Sequence, residues 1–220
     1  MNKTELINKT ISFVKETLHD ADGSHDWFHI YRVWKNTQLI LKTEDANPLV
    51  CELAALLHDI ADHKFHKGDE TVGPKKARTF LTSLNIDNKI IDEVVKIIEH
   101  ISFLGGHKKS NYFSQELAIV QDADRLDAMG AIGIARTFAY GAYKKREIYN
   151  PEIKPKLNMS KEEYKNSTAP TINHFYEKLL LLKDKMNTET GRKLAEGRHE
   201  FMLEYLKHFF SEWEGKILTK

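Results

Sequence analysis

Apolar side chains recur at steps of three and four residues along most of the chain, and this spacing is the feature that most restricts its fold. Residues three or four apart share one face of a helix, whereas a half-buried strand alternates apolar and polar residues. No run of alternating apolar and β-branched residues argues for a sheet, and there is no internal repeat. The sequence therefore predicts an all-α fold of about nine to eleven helices. The helical spacing is clearest at Leu6, Ile7, Ile11, Val14 and Leu18, and again at Ile30, Val33, Trp34 and Leu41.

Capping signals divide this helical pattern into segments. Asn47 and Pro48 predict a helix start, because an N-cap side chain is followed by proline at the first helical position. That helix is expected to end near His58, and Asp87 is expected to cap a later one. The stretch 114–138 is interpreted as two helices close together.

A polar segment interrupts the helices in the second half of the chain. Residues 145–170 contain three of the five prolines and little periodicity, which predicts a long irregular excursion that serves as a lid or an interface arm. Residues 171–220 return to helical spacing and are expected to pack on the same domain. At 220 residues the chain is long enough for one domain with a full core, so we predict a single domain over 1–220.

Charge and cysteine content exclude several classes of protein. The 33 basic residues nearly balance the 32 acidic ones, so no net field favours long nucleic acid or a membrane surface as a partner. The single cysteine, Cys51, excludes a disulfide framework and multi-cysteine metal sites, and it is interpreted as a core residue. No segment has the roughly 20 apolar residues of a transmembrane helix, and no signal peptide is evident. We therefore expect a cytoplasmic protein.

Two groups of histidines are candidates for chemistry. His25 and His29 lie four residues apart and would share a helix face, as in the zinc-protease pattern, but Asp26 is shorter than the glutamate of that pattern and a third ligand is not evident. A second group follows an apolar run in "LAALLHDIADHKF", residues 53–65, where two histidines and two aspartates fall within six positions. Its members are His58, Asp59, Asp62 and His63.

Three aspartates interrupt a later apolar segment, and buried carboxylates need partners. Asp122, Asp124 and Asp127 lie between Leu117 and Ala135. Two imidazoles and two carboxylates drawn from distant segments suit a divalent ion such as Mn, Fe, Co, Ni or Zn. The alternative is a set of buried salt bridges in which Arg32 or Arg125 neutralises the aspartates.

Taken together, these segments resemble the HD-domain phosphohydrolase superfamily, and most closely its small bacterial hydrolases. The motifs that carry the resemblance are "HxxRV" at 29–33, "LLHDIAD" at 56–62 and "DADRLDAMGAIGIAR" at 122–136, with "HISFLGG" at 100–106 and "HFYEKLL" at 174–180 also similar. The resemblance implies a single HD-type helical domain. It also implies one divalent metal ion (Mn, Fe, Co, Ni, Mg or Zn) with four ligands, His29, His58, Asp59 and Asp124. Asp122 is the alternative to Asp124 as the fourth ligand.

The resemblance further implies an enzyme that hydrolyses phosphate esters by attack of metal-bound water on phosphorus. Asp62, and with less support His63, are predicted as general acid or base. The expected substrate is a small nucleotide, such as a (deoxy)nucleoside triphosphate; a homodimer is left open. Candidate substrate contacts are Arg125, His100, Lys75 and Lys76.

Three other functions stay open at this point. The enzyme could hydrolyse another phosphoester, either a cyclic nucleotide or an alarmone. The domain could instead be regulatory, with a structural metal and no catalysis. A di-iron oxygenase is the third alternative, although it wants additional histidines that the sequence does not clearly offer.

Overall fold

The computed structural model of the chain describes residues 1–19, 26–61, 69, 71–101 and 112–217. These residues form ten α-helices and one 3-10 helix, and they contain no β-strand. The predicted all-α class is therefore confirmed, as is the expected number of helices. In chain order the α-helices are α1 (Lys3–Thr17), α2 (Trp27–Ile40), α3 (Pro48–Leu57), α4 (Val72–Ser83), α5 (Asn88–His100), α6 (Gln115–Asp127), α7 (Gly130–Tyr143), α8 (Lys161–Asn166), α9 (Asn173–Glu177) and α10 (Glu189–Trp213), with the 3-10 helix at Leu179–Lys185 between the last two.

The predicted helix starts are confirmed by their capping hydrogen bonds. The Asn47 side chain accepts from the backbone N–H groups of Leu49 and Val50 at 3.0 and 3.3 Å, with proline at the first helical position. The Asp87 carboxylate likewise accepts from the backbone N–H of Lys89 at 2.7 Å. Each cap satisfies N–H groups that have no partner within the helix.

Contacts within the chain divide it into two compact units, residues 1–124 and 125–220. In the first unit, α3 is buried on every side from Val50 to Leu57, and α1, α2 and α5 pack against it. A helix that is apolar on every side except at Glu52 needs such surroundings. The predicted core position of Cys51 is confirmed, and burial, with smaller effects of Glu116 and Glu52, raises the pKa of its thiol to about 12. The assignment of 1–220 to one domain stays a prediction.

In the second unit, α7 packs against α10, and the 3-10 helix contacts both α9 and α10. The segment 145–170 is irregular apart from the short helix α8. Its ends are joined, because the backbone N–H groups of Thr171 and Ile172 donate to the carbonyls of Glu147 and Ile148 at 2.8 and 3.0 Å. Its role as a lid or an interface arm stays a prediction.

Helix α6 runs through the boundary between the units, and two arginines of the second unit hold its last turn. Arg136 donates to the Asp127 carboxylate at 2.6 Å and to the Asp127 backbone carbonyl at 3.2 Å. Arg198 donates to the backbone carbonyl of Leu126. Gly130, at φ +68°, begins α7 where a Cβ would lie 3.1 Å from the Arg198 side chain, so glycine suits both the backbone and the close approach. Cations at the end of a helix satisfy its free carbonyls and its dipole.

Candidate metal centre

His29 is held in the first turn of α2. Asp26 caps this helix, and its carboxylate accepts from the backbone N–H of His29 at 2.9 Å. The His29 residue is only 4% exposed. The ring therefore projects from a capped helix start and has little freedom to turn away. His25, the other histidine of the zinc-protease alternative, lies outside the described residues.

His58 directly follows α3 and is oriented by the backbone of that helix. Its Nδ1 lies 2.9 Å from the carbonyl oxygen of Ala55. Because a carbonyl can only accept, Nδ1 carries the hydrogen, and Nε2 is left with a lone pair. A backbone carbonyl on one ring nitrogen is the usual arrangement of a metal-binding histidine. Asp59, the next residue, is half-buried beside it.

These three side chains converge on one point. One ligand atom from each of His29, His58 and Asp59 lies within 4.8 Å of the others, and the two imidazole rings are 5.3 Å apart, centroid to centroid. Asp124, on α6, places its Oδ1 at 3.5 Å from Nε2 of His29. Asp122, the competing aspartate, is fully buried.

The donor set fits a divalent metal. It offers imidazole nitrogen and carboxylate oxygen but no thiolate, which suits Mn, Fe, Co, Ni or Zn. The His58 ring is oriented by the Ala55 carbonyl, and the backbone of His29 is fixed by the Asp26 cap, so both histidines are placed by helix ends. The cluster of His29, His58 and Asp59 can therefore hold a metal ion, and Asp124 lies next to it on one side.

The two predicted acid–base residues, Asp62 and His63, lie outside the described residues. His100 ends α5, where its Nδ1 is 2.8 Å from the carbonyl of Lys96 and its ring is 5.2 Å from that of Tyr112. It does not belong to the group of metal-binding side chains found among the described residues. Its contact with substrate stays a prediction.

The predicted basic substrate contacts lie on two helices. Lys75 and Lys76 are exposed near the start of α4. The start of α4 lies close to Ala61, which is two residues after Asp59 in the chain. A Cβ on Gly73, in the first turn of α4, would be 3.8 Å from the carbonyl oxygen of Ala61. Arg125, in the second unit, donates to the Lys185 carbonyl at 2.6 Å. Substrate contact by these three cations stays a prediction.

One of the three aspartates forms a buried salt bridge, as the alternative to a metal site proposed. Its partner is not one of the arginines considered from the sequence. Asp127 is 2% exposed and pairs with Arg136, nine residues further on. Neither Arg136 nor Arg198 was singled out as a partner from the sequence. Their separations of 9 and 72 residues from the atoms they bind follow no local spacing rule, so only the fold reveals them.

Comparison with known proteins identifies the family. A sequence profile described as HD domain matches residues 27–129, a range that includes His29, His58, Asp59 and Asp124. The Bacillus subtilis protein YpgQ is 36% identical over 218 residues, covering 98% of this chain and 97% of its own length. The chain belongs to the HD domain family.

Solved structures of other members have the same fold. A crystal structure of an HD-superfamily hydrolase from Bacillus thuringiensis matches with a TM-score of 0.78 and 42% identity, covering 98% of this chain and 100% of that one. The structure of YpgQ in complex with ADP matches with a TM-score of 0.76 and 33% identity, covering 96% of this chain and 97% of that one. These similarities indicate that this HD protein is a metal-dependent hydrolase.

Proposed function

We propose that this HD protein is a phosphohydrolase that cleaves small nucleotides, most suitably (deoxy)nucleoside triphosphates. The observation that carries the proposal is the convergence of His29, His58 and Asp59 within 4.8 Å, with Asp124 at 3.5 Å from His29. Four such donors leave about two positions free on a six-coordinate ion, which is what a hydrolytic site needs and a closed structural site lacks.

In this proposal His29, His58, Asp59 and Asp124 hold the ion. A divalent ion supplies charge neutralisation at a phosphoryl group and lowers the pKa of water. The chain's own contribution is orientation. The Ala55 carbonyl keeps the hydrogen of His58 on Nδ1, so Nε2 keeps its lone pair for the ion.

Asp62 is the proposed acid–base group. In the sequence it follows His58 by four residues and Asp59 by three, and this proximity in the chain is what supports the proposal. In this role it would take the proton from attacking water or give one to the leaving oxygen. His63 is the second candidate for that role.

Three observations favour a small nucleotide as the substrate. YpgQ, which is similar over nearly the whole chain, has been solved in complex with ADP. The exposed Lys75 and Lys76 lie near the start of a helix that begins beside Ala61, and ammonium groups in such a place can hold phosphate oxygens. The near-zero net charge favours a small phosphorylated molecule over a long polyanion.

The experiment is a release assay for phosphate and pyrophosphate across nucleoside mono-, di- and triphosphates, cyclic nucleotides, alarmones and oligonucleotides. Each substrate is tested with several divalent ions and with EDTA. We expect triphosphates to turn over fastest and only with metal. A matched pair of variants separates the site from the surface: Asp59→Asn should abolish turnover, whereas Asp92→Asn, an exposed aspartate paired with Arg78, should leave it unchanged.

Faster cleavage of oligonucleotides than of every nucleotide would overturn the substrate assignment. Turnover of any substrate that survives Asp59→Asn would overturn the assignment of the site. Oxygen uptake with two bound irons would instead favour the oxygenase alternative.

A further inference from the structure

A second group of functional side chains lies within residues 125–220, outside the metal-binding cluster. Tyr164 and His174 are in contact, with the Tyr164 hydroxyl 3.4 Å from Nδ1 of His174 and the ring centroids 5.9 Å apart. The Lys178 ammonium lies 5.6 Å from the centre of the Tyr164 ring. The Arg146 guanidinium lies 5.7 Å from the centre of the Tyr140 ring. We refer to these five residues as the cation–tyrosine surface.

Arg146 is fixed in its position by the polar excursion. Its Nη2 donates to the carbonyl of Ser167 at 2.5 Å, which leaves its other N–H groups for further partners, because a guanidinium carries five. Lys178 follows α9 directly, in the turn where its backbone N–H donates to the His174 carbonyl at 3.0 Å. The two cations thus come from different segments of the unit: a backbone carbonyl holds the Arg146 side chain, and the Lys178 ammonium lies over the Tyr164 ring.

Positive charge dominates around His174. Although part of this residue remains exposed, desolvation lowers the pKa of its imidazole to about 3, and the charges of Lys178 and Arg146 act in the same direction. Desolvation also raises the pKa of Tyr164 to about 12, with Tyr140 and Glu177 adding to that shift and Arg146 opposing it. At neutral pH the surface therefore presents two cations, a neutral imidazole and a neutral hydroxyl, with Glu177 as the nearby acid.

We propose that the cation–tyrosine surface binds a phosphorylated anion. Arginine offers a planar fork that matches phosphate oxygens, and lysine adds a compact charge. The Tyr164 hydroxyl adds a neutral donor, and the exposed Tyr140 ring adds a flat face on which a base could stack. Phosphate groups of a nucleotide and free polyphosphate share this chemistry. The proposal does not depend on the metal cluster, since none of its residues belongs to that cluster.

Bound phosphate would change the protonation of His174. An anion bound by Lys178 and Arg146 would offset the two charges that now disfavour the imidazolium, so the pKa of His174 should rise on binding. A purely structural tyrosine–histidine contact would give no such response.

The experiment uses the full chain in EDTA, with inorganic pyrophosphate as the probe. Binding is measured by calorimetry, and the pKa of His174 is followed by NMR of the histidine rings. Lys178→Gln and Arg146→Gln should each weaken pyrophosphate binding about tenfold, as expected for one charge-assisted hydrogen bond. Lys193→Gln is the matched control, because it removes the same charge from an exposed lysine that pairs with Glu189, and it should change binding less than about twofold.

Tyr164→Phe keeps every charge, so it replaces a charge variant that fails to fold; it too should weaken pyrophosphate binding.

Binding of ATP and of adenosine distinguishes a nucleotide from free polyphosphate as the ligand. Tighter binding of ATP than of pyrophosphate identifies a nucleotide, and equal binding identifies free polyphosphate. Equal weakening by Lys193→Gln, absence of a His174 shift, or binding of adenosine without pyrophosphate would overturn the proposal. Asp59→Asn should leave pyrophosphate binding intact, so a failure of the proposed function is distinguishable from a failure of this site.

Discussion

The ion pair at the end of α6 allows a quantitative test of how the fold holds its metal-binding helix. Asp127 is 2% exposed at its side chain and Arg136 is 29% exposed, and their polar atoms are 2.6 Å apart. Arg136→Met leaves the carboxylate buried without this cation. Breaking a buried pair in this way costs roughly 3–5 kcal/mol. Since Arg136 is partly solvated, we expect about 3 kcal/mol, the low end of that range.

Asp127→Asn should cost less, about 1–2 kcal/mol, because Arg136 keeps its bond to the backbone carbonyl and part of its hydration. The double variant should lose less than the sum of the two, with a coupling energy of about 1–2 kcal/mol. Urea unfolding in EDTA, followed by circular dichroism, measures all three. Lys193→Met, which breaks the exposed pair with Glu189, is the control and should leave the midpoint unchanged. Arg136→Met with the stability of the unsubstituted chain, or strictly additive losses, would refute the reasoning.

Three further predictions concern the metal cluster, the acid–base group and the core thiol. A divalent ion at 100 times its Kd adds about 2.7 kcal/mol to the free energy of unfolding, which should raise the Tm of the unsubstituted chain by roughly 5–11 °C. The Tm of His58→Ala should not rise with the ion, and a rise in this variant would place the ion elsewhere. Asp62→Asn should retain the ion and lose about 10²–10⁴-fold in turnover, and near-normal turnover would move the role to His63. Burial raises the pKa of Cys51 from 9.0 to about 12. Above pH 9 the thiol therefore ionises in the unfolded chain but stays protonated in the folded one. The stability advantage over Cys51→Ala should therefore be constant below pH 9 and shrink as the pH rises towards 12, as measured by urea unfolding.

Local features of the fold were predictable because their physics is local. The caps at Asn47 and Asp87 depend on residues two or three positions away, and the two helices predicted over 114–138, found as α6 and α7, follow from apolar spacing. The same holds for Cys51, since a residue in a continuous apolar run becomes buried when that run forms a helix. In each case the residues that decide the outcome lie within a few positions of one another in the chain.

Long-range partners were not predictable in this way. Motif resemblance assigned His29 and Asp124 to one site, but spacing alone left open a set of salt bridges. The contact between these two residues depends on the packing of α2 and α6, which lie more than seventy residues apart in the chain. The contact between Tyr164 and His174 was missed as well, because the polar composition of 145–170 indicated only an irregular excursion. The hydrogen bond from Arg146 to the Ser167 carbonyl fixes the Arg146 side chain, and no periodic pattern in the sequence indicates such a bond.

The passage of α6 through residue 124 has a consequence for how such a protein can be shortened or recombined. In a helix each N–H donates to the carbonyl four residues earlier, so the last turn of α6, from residue 125 onward, depends on carbonyls that precede the boundary. Cleavage or gene fusion at that point would separate donors from acceptors within one turn. Asp124 would then become a chain end in one fragment, while Arg136 and Arg198 would remain with the other. Fragments that keep α6 whole therefore have to begin or end elsewhere.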